Sequence, residues 1–480
     1  MLLEWFDRIA GSRRSMKTWD HIPLVGEMAA EHARRSPRSA TVDRTAKRHL
    51  VDGGSHTLRL LQPFPPRIAT AKGGWLTDED GHRILDFWQG HMANILGHNP
   101  DIVTTELASV FAEGFGLQSG LADRLQAEVA EIICRQTGVD RVRLTTSGTL
   151  ANMYAVMLAR AFTGRSLVMK VGGGWHGAQP WSLKGIRFRD DGSGFGGVDT
   201  DGLAPAMTDE VIVTRFNDPL RLADDFDRLG DRVACFVVEP LIGAGGTIPA
   251  TREYLELARE LCHRYGALLI FDEVISGFRF HAGTLGALYG VRPDLTVLGK
   301  IVGGGMPVAA FAGRADIMDQ LGREQGCRVN VSGGTYSAHP ASMLAAKTQL
   351  AHLVDDEQEI YPRLADLGAA MRKAVESGFA EGGVLARCTG DSDDLPTGSS
   401  LFMVHFPHDE ASVLNTPEAV FDPEVCDQIL REKVLGLALL LEDVNVVLAH
   451  GAAAREHTED DMTFLEEACR RVARRVARFR

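Results

Sequence analysis

The sequence lacks the cysteine and histidine spacings that hold structural or catalytic metal ions. Its seven cysteines are scattered over 480 residues and never form a Cys-x-x-Cys pair, and none of the 16 histidines belongs to a His-Glu-x-x-His motif. We therefore expect neither a zinc site nor a disulfide framework. Free thiols in a reducing compartment explain the scattered cysteines better, which predicts a cytoplasmic protein.

The sequence also has little that would hold a membrane or a nucleic acid. The apolar run Val434–Leu441 is ended by Glu442 and Asp443, well short of the roughly 18 residues that a membrane-spanning helix needs. The segment Met1–Ala10 mixes charged and apolar residues, which is unlike a secretory signal. The formal net charge of -13 disfavours electrostatic binding to nucleic acid or anionic lipid, so we expect neither partner.

What the sequence does have is an alternation of apolar strands and amphipathic helices. Runs such as ACFVVEP and ALLIFDE are apolar on both faces, as strands buried between two helical layers must be. Helical periodicity separates several of the runs, at Leu150–Phe162, Pro219–Leu229 and Arg252–Tyr265. This pattern predicts an α/β domain around a mainly parallel seven-stranded sheet. The predicted strands are Val142–Thr145, Leu167–Val171, Val211–Val213, Val233–Val238, Ala267–Phe271, Leu295–Leu298 and Val308–Ala312.

Glycine accounts for 51 of the 480 residues, about a tenth of the chain, whereas its usual share is about 7%. The glycines cluster where the predicted strands end. Ligands of open α/β sheets bind at those ends. The first such place is Thr145–Thr149, where the hydroxyl and N–H groups of Ser147, Gly148 and Thr149 suit a phosphate. Taken alone, the same residues are more typical of an ordinary helix cap.

The second glycine cluster, Gly172–Gly177, formally matches the G-x-G-x-x-G motif of dinucleotide-binding proteins. That motif should open a helix, but Pro180 and Trp181 interrupt the residues that follow. Trp175 within the cluster suits stacking on a planar ligand instead. A buried tryptophan that anchors the loop is the structural alternative.

Two further strands end in charged residues. Asp272 and Glu273 follow a fully apolar run, where a desolvated carboxylate would bind a cationic nitrogen strongly. The alternatives for this pair are a structural role or a helix cap. Lys300 ends another strand among glycines, where desolvation would lower its pKa and produce a neutral amine able to form a Schiff base. A surface lysine is its alternative.

Together, these four places describe a pyridoxal phosphate site. The cofactor needs a phosphate turn, a stacking side chain, an acid for its pyridine nitrogen and a lysine for a Schiff base. The chain also resembles the class III pyridoxal phosphate-dependent aminotransferases, and among them the glutamate-1-semialdehyde 2,1-aminomutases. The resemblance runs from about Gly53 to the end of the chain and rests on FDEVISGFR, DLTVLGKIVGGGMPVAAFAGR, VVEP and GGTYSAHP.

The resemblance implies the type I fold of the pyridoxal phosphate-dependent transferases and a homodimer with shared active sites. We expect a large cofactor-binding domain over residues 118–345. Residues 1–117 would form an N-terminal segment and part of a smaller α+β domain, and residues 346–480 would complete that domain.

Site residues follow from the resemblance position by position. Lys300 matches the lysine that forms the Schiff base and moves the proton, and Asp272 matches the partner of the pyridine nitrogen. Val274 and Trp175 match the residues on the two ring faces, with Trp175 in place of the usual tyrosine. The other implied cofactor contacts are Ser147, Gly148 and Thr149 at the phosphate, His176 beside Trp175, Glu239 near the cofactor, and Thr335, which would reach the neighbouring subunit's phosphate.

The substrate side matches the family less well. Leu150 replaces a polar residue of the usual phosphate turn, and Leu435–His450 does not reproduce the family's pattern. Arg59 is a candidate anchor for a substrate carboxylate by analogy with an N-terminal arginine, one residue out of register; an exposed arginine without such a role is the alternative. By the same resemblance, the segment Gly192–Gly197 falls near the mobile active-site loop of the aminomutases, so it is a candidate lid.

We therefore predict a pyridoxal phosphate-dependent enzyme that moves amino groups, similar to the aminomutases and acting on an amino acid or amino aldehyde. The first alternative is an intermolecular aminotransferase that uses an amine, a β-amino acid or an amino sugar with a keto-acid acceptor. More distant alternatives are a nicotinamide-dependent oxidoreductase and a protein that binds pyridoxal phosphate without catalysis.

Overall fold

The strands and helices below come from a computed structural model, which describes residues 21–331 and 333–479; the segment Met1–Ala10 lies outside the described residues. The strands are β1 Ile68–Lys72, β2 Trp75–Asp78, β3 Arg83–Asp86, β4 Arg141–Thr145, β5 Leu167–Val171, β6 Val211–Thr214, β7 Val233–Val238, β8 Leu241–Ile242, β9 Ile248–Pro249, β10 Leu268–Glu273, β11 Leu295–Leu298, β12 Ala309–Gly313, β13 Arg387–Thr389, β14 Leu401–His405, β15 Val444–Asn445 and β16 His450–Ala452.

The helices lie between and around these strands. They are α1 Ile22–Arg35, α2 Pro37–Ala46, α3 Gln89–Met92, α4 Asp101–Ala112, α5 Arg124–Thr137, α6 Gly148–Thr163, α7 Pro205–Asp209, α8 Pro219–Leu229, α9 Arg252–Tyr265, α10 Leu285–Tyr289, α11 Ala315–Met318, α12 Pro340–Asp355, α13 Glu357–Glu381, α14 Pro417–Phe421, α15 Leu435–Leu441 and α16 Glu459–Ala477. A single π-helical turn, Leu430–Val434, precedes α15.

The seven predicted strands form one sheet in the order β4-β12-β11-β10-β7-β5-β6. Neighbouring strands from β11 to β6 are parallel, whereas β12 runs antiparallel to both β4 and β11. Every residue of β7 and β10 is buried, which explains why these strands are apolar on both faces. The predicted α/β class and mainly parallel sheet are confirmed, and each strand lies within two residues of its predicted bounds.

The helices begin and end where local chemistry favours a boundary. Ser147 caps α6 by accepting a hydrogen bond from the N–H of Leu150, and Thr251 caps α9 in the same way. Both helices end at a glycine with positive φ, Gly164 and Gly266. The helix predicted over Leu150–Phe162 is thus confirmed and extends to the glycine-rich turn that precedes it.

Residues from both ends of the chain share a second core beside the large sheet. Strands β1, β2 and β3 form a small sheet with β15, which pairs parallel to β3. Leu24 and Phe87 from the N-terminal part pack in one cluster with Leu435 and Leu465 from the C-terminal part. The smaller unit drawn from both flanks agrees with the type I fold. The predicted domain boundary at residue 345 falls inside α12.

No helix among the described residues is both long enough and apolar enough to cross a lipid bilayer. The seven cysteines are all free of disulfide bonds.

Candidate active site

The carboxyl ends of five strands lie at one edge of the large sheet. Strands β5, β7, β10 and β11 are parallel, and β4 has the same direction because β12 is antiparallel to both β4 and β11. This edge brings together the predicted phosphate turn after β4, the glycine loop after β5, Glu239 after β7, Asp272 in β10 and Lys300 after β11. These residues are up to 155 positions apart in sequence but adjacent because of the strand order.

Asp272 is the buried acid of this edge, with only 4% of its surface exposed. Its Oδ2 accepts hydrogen bonds of 2.8 Å from Nδ1 of His176 and 2.8 Å from the amide of Asn152. Its Oδ1 accepts a third, of 3.1 Å, from the backbone N–H of Val274. Burial lowers the pKa of His176, against the opposing effect of Asp272, so the imidazole is neutral and carries its proton on Nδ1. Three donors thus hold the carboxylate in one orientation.

Glu273, the second acid of the sequence pair, has a structural role. Its side chain is fully buried and accepts hydrogen bonds from the backbone N–H groups of Leu285 (2.6 Å) and Gly286 (2.9 Å) at the start of α10. It also accepts one from the hydroxyl of Ser276 at 3.1 Å. Because successive side chains of a strand point to opposite faces, Asp272 and Glu273 cannot serve the same site. The helix-cap interpretation is correct for Glu273.

Lys300 lies half-buried in the short helical turn Lys300–Gly303, directly after β11. Its φ of 47° is unusual for a residue with a side chain and is typical of functional sites. Burial lowers the pKa of Lys300, although the charge of Asp272 acts in the opposite direction. Among the described residues, its amino group has no hydrogen-bond partner, so the amine is free to react.

The side chain of Val274, which follows β10, packs against Gly148 of the predicted phosphate turn and against Gly299, which precedes Lys300. A Cβ atom at Gly148 would lie 3.0 Å from Cγ2 of Val274, and one at Gly299 would lie 3.1 Å from Cγ1. Side chains at either position would therefore displace Val274. Beside it, the N–H groups of Gly148 and Thr149 stand in the first turn of α6, where no intrahelical acceptor exists for them.

The glycine loop after β5 carries an exposed Trp175, with 44% of its surface accessible. This exposure excludes a buried anchor as the role of Trp175. The backbone N–H of Trp175 donates to Glu239 at 3.0 Å, and the second carboxyl oxygen of Glu239 accepts from Gly243 at 2.9 Å. Burial, and then the charge of Asp272, raise the pKa of Glu239 to about 8. Glu239 therefore positions the loop.

Lys170 holds the same loop by hydrogen bonds to its backbone. This fully buried residue of β5 donates to the backbone carbonyls of Gly174 (2.9 Å), Ser182 (3.0 Å) and Lys184 (3.0 Å). Burial lowers its pKa to about 7. No helix follows Gly172–Gly177 directly, as the interruption at Pro180 predicted, so the segment lacks the context of a dinucleotide loop.

Arg59 and Thr335 are both exposed, and their hydrogen bonds lead to residues outside the strand ends. Nε of the exposed Arg59 donates a hydrogen bond of 3.0 Å to Nε2 of His91. His91 belongs to α3, which packs against the turn that begins at Lys300. Thr335 is exposed, and its carbonyl accepts a hydrogen bond of 2.8 Å from the amide of Gln118.

The candidate lid is anchored by one aromatic side chain. Phe195, in the segment Gly192–Gly197, is buried. The centre of its ring lies 5.4 Å from that of Phe188 and 6.2 Å from that of Phe421. Its ring also closes over Gly172, where a Cβ atom would lie 2.7 Å from Cβ of Phe195. The loop thus contacts the start of the glycine cluster that carries Trp175.

Sequence reasoning missed several residues that support the site. Asn152 stands one helical turn after Gly148, and Lys170 is a lysine inside an apolar strand, so both positions carried a signal in the sequence. Arg279, a buried residue of the FDEVISGFR motif, donates to the carbonyl of Met92 and to Ser400 at 3.2 Å. His91 had no signal, because its position depends on packing between distant segments.

The chain matches the family model described as Aminotransferase class-III over residues 61–381. It is 37% identical over 308 residues to the glutamate-1-semialdehyde 2,1-aminomutase of Thermoplasma acidophilum, an alignment that covers 63% of this chain and 70% of that protein. The fold is similar to that of an omega-transaminase from Sphaerobacter thermophilus, with a TM-score of 0.83 and 29% identity over 93% of this chain and 99% of that one.

A second solved structure, the beta-phenylalanine aminotransferase from Variovorax paradoxus, has a TM-score of 0.80 and 28% identity over 93% of this chain and 96% of that chain. These comparisons give no support to the alternative of a nicotinamide-dependent oxidoreductase.

Proposed function

The chain belongs to the class-III aminotransferases and is a pyridoxal phosphate-dependent enzyme, and we propose that it moves the amino group of a carboxylate-bearing substrate by means of Lys300 and Asp272. The observation that carries this proposal is the position of both residues at one strand edge. There Lys300 offers an unpaired amine, and three donors fix the carboxylate of Asp272.

The residues at this edge fit the cofactor chemically. A buried carboxylate held by three donors suits a protonated pyridine nitrogen, and unpaired N–H groups at a helix start suit a phosphate. We assign the phosphate to Ser147, Gly148 and Thr149, the ring faces to Val274 and Trp175, the pyridine nitrogen to Asp272, and the covalent link to Lys300.

When bound, the cofactor withdraws electrons from the substrate carbon that carries the amine, which lets that carbon lose a proton. Lys300 would take and return this proton, because burial lowers the pKa of its amine and so favours the neutral form. Asp272 would keep the pyridine nitrogen protonated, and His176 would hold Asp272 in place. Trp175 would cover the site and exclude water.

For the overall reaction we favour an aminomutase, which returns the nitrogen to a neighbouring carbon of the same molecule. The 37% identity to the aminomutase of Thermoplasma acidophilum supports this choice. The second candidate is an intermolecular aminotransferase, favoured by the 29% identity to an omega-transaminase over 93% of this chain. Both reactions make the same demands on Lys300 and Asp272.

One experiment separates the two reactions. The holoenzyme is mixed with an excess of glutamate-1-semialdehyde, or of an amine or β-amino acid donor, with and without a keto acid. An aminomutase exceeds one turnover per active site on glutamate-1-semialdehyde without added keto acid. With an amine or β-amino acid donor, which has no carbonyl acceptor of its own, an aminotransferase stops at one equivalent until the keto acid is supplied. No conversion of any donor, with cofactor bound, would contradict an amino-group transfer function.

We also propose that the active enzyme is a homodimer, in which Thr335 contacts the cofactor phosphate of the neighbouring subunit. The exposure of Thr335 in the single chain supports this role. Tyr336, the next residue in the chain, and Leu117, next to its partner Gln118, are large apolar side chains that are also exposed, at 63% and 75%. Exposed apolar surface is a feature of protein interfaces.

The remaining assignments concern organisation and location. We propose that residues 118–345 form the large domain and that the two flanks, residues 1–117 and 346–480, form the smaller one. The free cysteines support a reducing compartment, and we place the enzyme in the cytoplasm.

A further inference from the structure

The short helical turn α3 has an unusual backbone. Its four residues have positive φ angles, 44° at Gln89, 61° at Gly90, 66° at His91 and 63° at Met92. Left-handed conformation is unfavourable for residues with a side chain, and it persists only where the surroundings impose it. Strained segments of this kind cluster at ligand sites.

Buried polar groups impose the conformation of α3 from both ends. At its start, the carboxylate of Asp86 accepts hydrogen bonds from the backbone N–H groups of Trp88 (3.0 Å) and Gln89 (2.9 Å). At its end, the buried guanidinium of Arg279 donates to the carbonyl of Met92. These contacts direct the side chain of His91 towards Arg59.

The imidazole of His91 acts as a hydrogen-bond acceptor. Its Nε2 accepts from Nε of Arg59 at 3.0 Å, and its ring lies 4.4 Å from the ring of His56 and 4.5 Å from that of Trp88. Burial, and then the charges of His56, Arg59 and Lys300, lower the pKa of His91 to about 3. The imidazole is therefore neutral at any working pH, and Nε2 keeps its lone pair.

The guanidinium of Arg59 has hydrogen-bond donors that are not engaged. Only its Nε is engaged, and its two terminal amino groups have no hydrogen-bond partner among the described residues. A guanidinium presents such a pair of donors to a carboxylate in a planar, bidentate geometry. The acceptor on Nε fixes the plane of the group, which makes the geometry available before the ligand arrives.

We propose that His91 is a positioning residue, which orients Arg59 so that its free amino groups bind the carboxylate of the substrate. This assignment deepens the proposed function and rests on it. His91 does not touch the reacting atoms; it makes the enzyme selective for an acid over the amine that lacks the carboxyl group.

Two substitutions at position 91 test the role. His91→Phe keeps an aromatic ring for packing but removes the acceptor, whereas His91→Gln keeps an acceptor of similar reach. Both replacements meet the same positive φ, so they carry comparable strain. Thermal unfolding and cofactor content show whether each variant remains a folded holoenzyme.

The probes are donor pairs that differ only by a carboxyl group: β-phenylalanine with 1-phenylethylamine, β-alanine with ethylamine, and 4-aminobutanoate with propylamine. The change in cofactor absorbance on mixing gives the rate and apparent affinity for each donor. We expect wild type to prefer the acid of at least one pair. His91→Phe should weaken the apparent affinity for that acid by about tenfold, with the maximal rate and the matching amine changed less than about twofold. His91→Gln should recover most of the loss.

The results that would contradict the proposed function differ from those that would contradict only the role of His91. A wild-type enzyme that prefers no acid over its amine contradicts Arg59 as a carboxylate anchor, and so the proposed substrate class. A clear wild-type preference that His91→Phe leaves intact contradicts the positioning role alone. Equal losses on acid and amine, or no recovery in His91→Gln, show a merely structural role for His91 and also overturn the inference.

Discussion

Nδ1 of His176 lies 2.8 Å from Oδ2 of Asp272, and both side chains are almost completely buried. The pair joins the glycine loop after β5 to the carboxyl end of β10. In such surroundings a hydrogen bond to a carboxylate is strong, and a missing partner is costly. Together with the donors Asn152 and Val274, the contact therefore determines how Asp272 faces the site.

The first prediction separates the two adjacent acids of β10. Asp272→Asn should retain the cofactor but lower turnover by about 10²- to 10³-fold, because a neutral amide does not stabilise a protonated pyridine nitrogen. Glu273→Gln should keep turnover within about twofold and lose roughly 1–3 kcal/mol of stability through its cap on α10. The measurements are steady-state turnover and chemical unfolding. Reversed effects in the two variants would show that the roles have been exchanged.

The second prediction concerns the donor to Asp272. His176→Phe removes the hydrogen bond, and we expect turnover to fall about tenfold. His176→Asn keeps an N–H group near the position of Nδ1 and should restore most of the turnover. Cofactor content, measured from absorbance, serves as the control in both variants. If His176→Phe and His176→Asn lower turnover equally, the hydrogen bond is not what His176 contributes.

The sequence predicts the strand edge well because its signals are local. A strand buried on both faces must be apolar throughout, so charged residues at the ends of such runs, Asp272 and Lys300, stand out. Seven strands and the helices between them follow from the same periodicity. The identity of the cofactor follows from the types of residue that collect at the strand ends.

The relationships within the edge depend on long-range packing and could not be predicted. Asn152 and Asp272 are 120 residues apart and become partners only through the strand order. The sequence left the role of Glu273 open, since a cap for α10 requires the helix start to fold back onto β10. The contact between Arg59 and His91 depends on a left-handed turn that no residue of α3 specifies by itself.

The third prediction concerns pH and the buried carboxyl of Glu239. Its ordinary pKa of 4.5 is raised to about 8 in the folded protein. Between these values the folded protein keeps a proton that the unfolded chain has lost, so the free energy of unfolding falls as the pH rises. Wild type should therefore lose more stability between pH 5 and 8 than Glu239→Gln does, by more than about 1 kcal/mol.

Urea unfolding at pH 5, 6.5 and 8 checks this difference in slope. The variant also loses an acceptor for one of the backbone N–H groups at Trp175 and Gly243, but that cost does not vary with pH. Glu410→Gln, at an exposed glutamate, is the matched control and should follow wild type. Parallel curves for wild type and Glu239→Gln would contradict a protonated buried acid.

The fourth prediction tests the shared active site. Thr335→Ala should leave the subunit assembly and thermal stability unchanged but weaken cofactor retention by about tenfold, because one hydroxyl donor to the phosphate is lost. Light scattering gives the assembly, and equilibrium dialysis gives the dissociation constant. Thr463→Ala, at an exposed threonine on α16, is the control. A monomer in solution, or unchanged retention in Thr335→Ala, would contradict the role of Thr335.

The position of the covalent link decides whether this strand edge is the active site. The holoenzyme is reduced with borohydride and digested, and mass spectrometry identifies the lysine that carries the pyridoxyl group. Lys170 is the internal comparison, since its pKa is also lowered, but it is fully buried and its amino group donates to three carbonyls. We predict modification of Lys300 alone and none in Lys300→Ala. A pyridoxyl group on Lys170 or any other lysine, with Lys300 unmodified, would contradict the assignment.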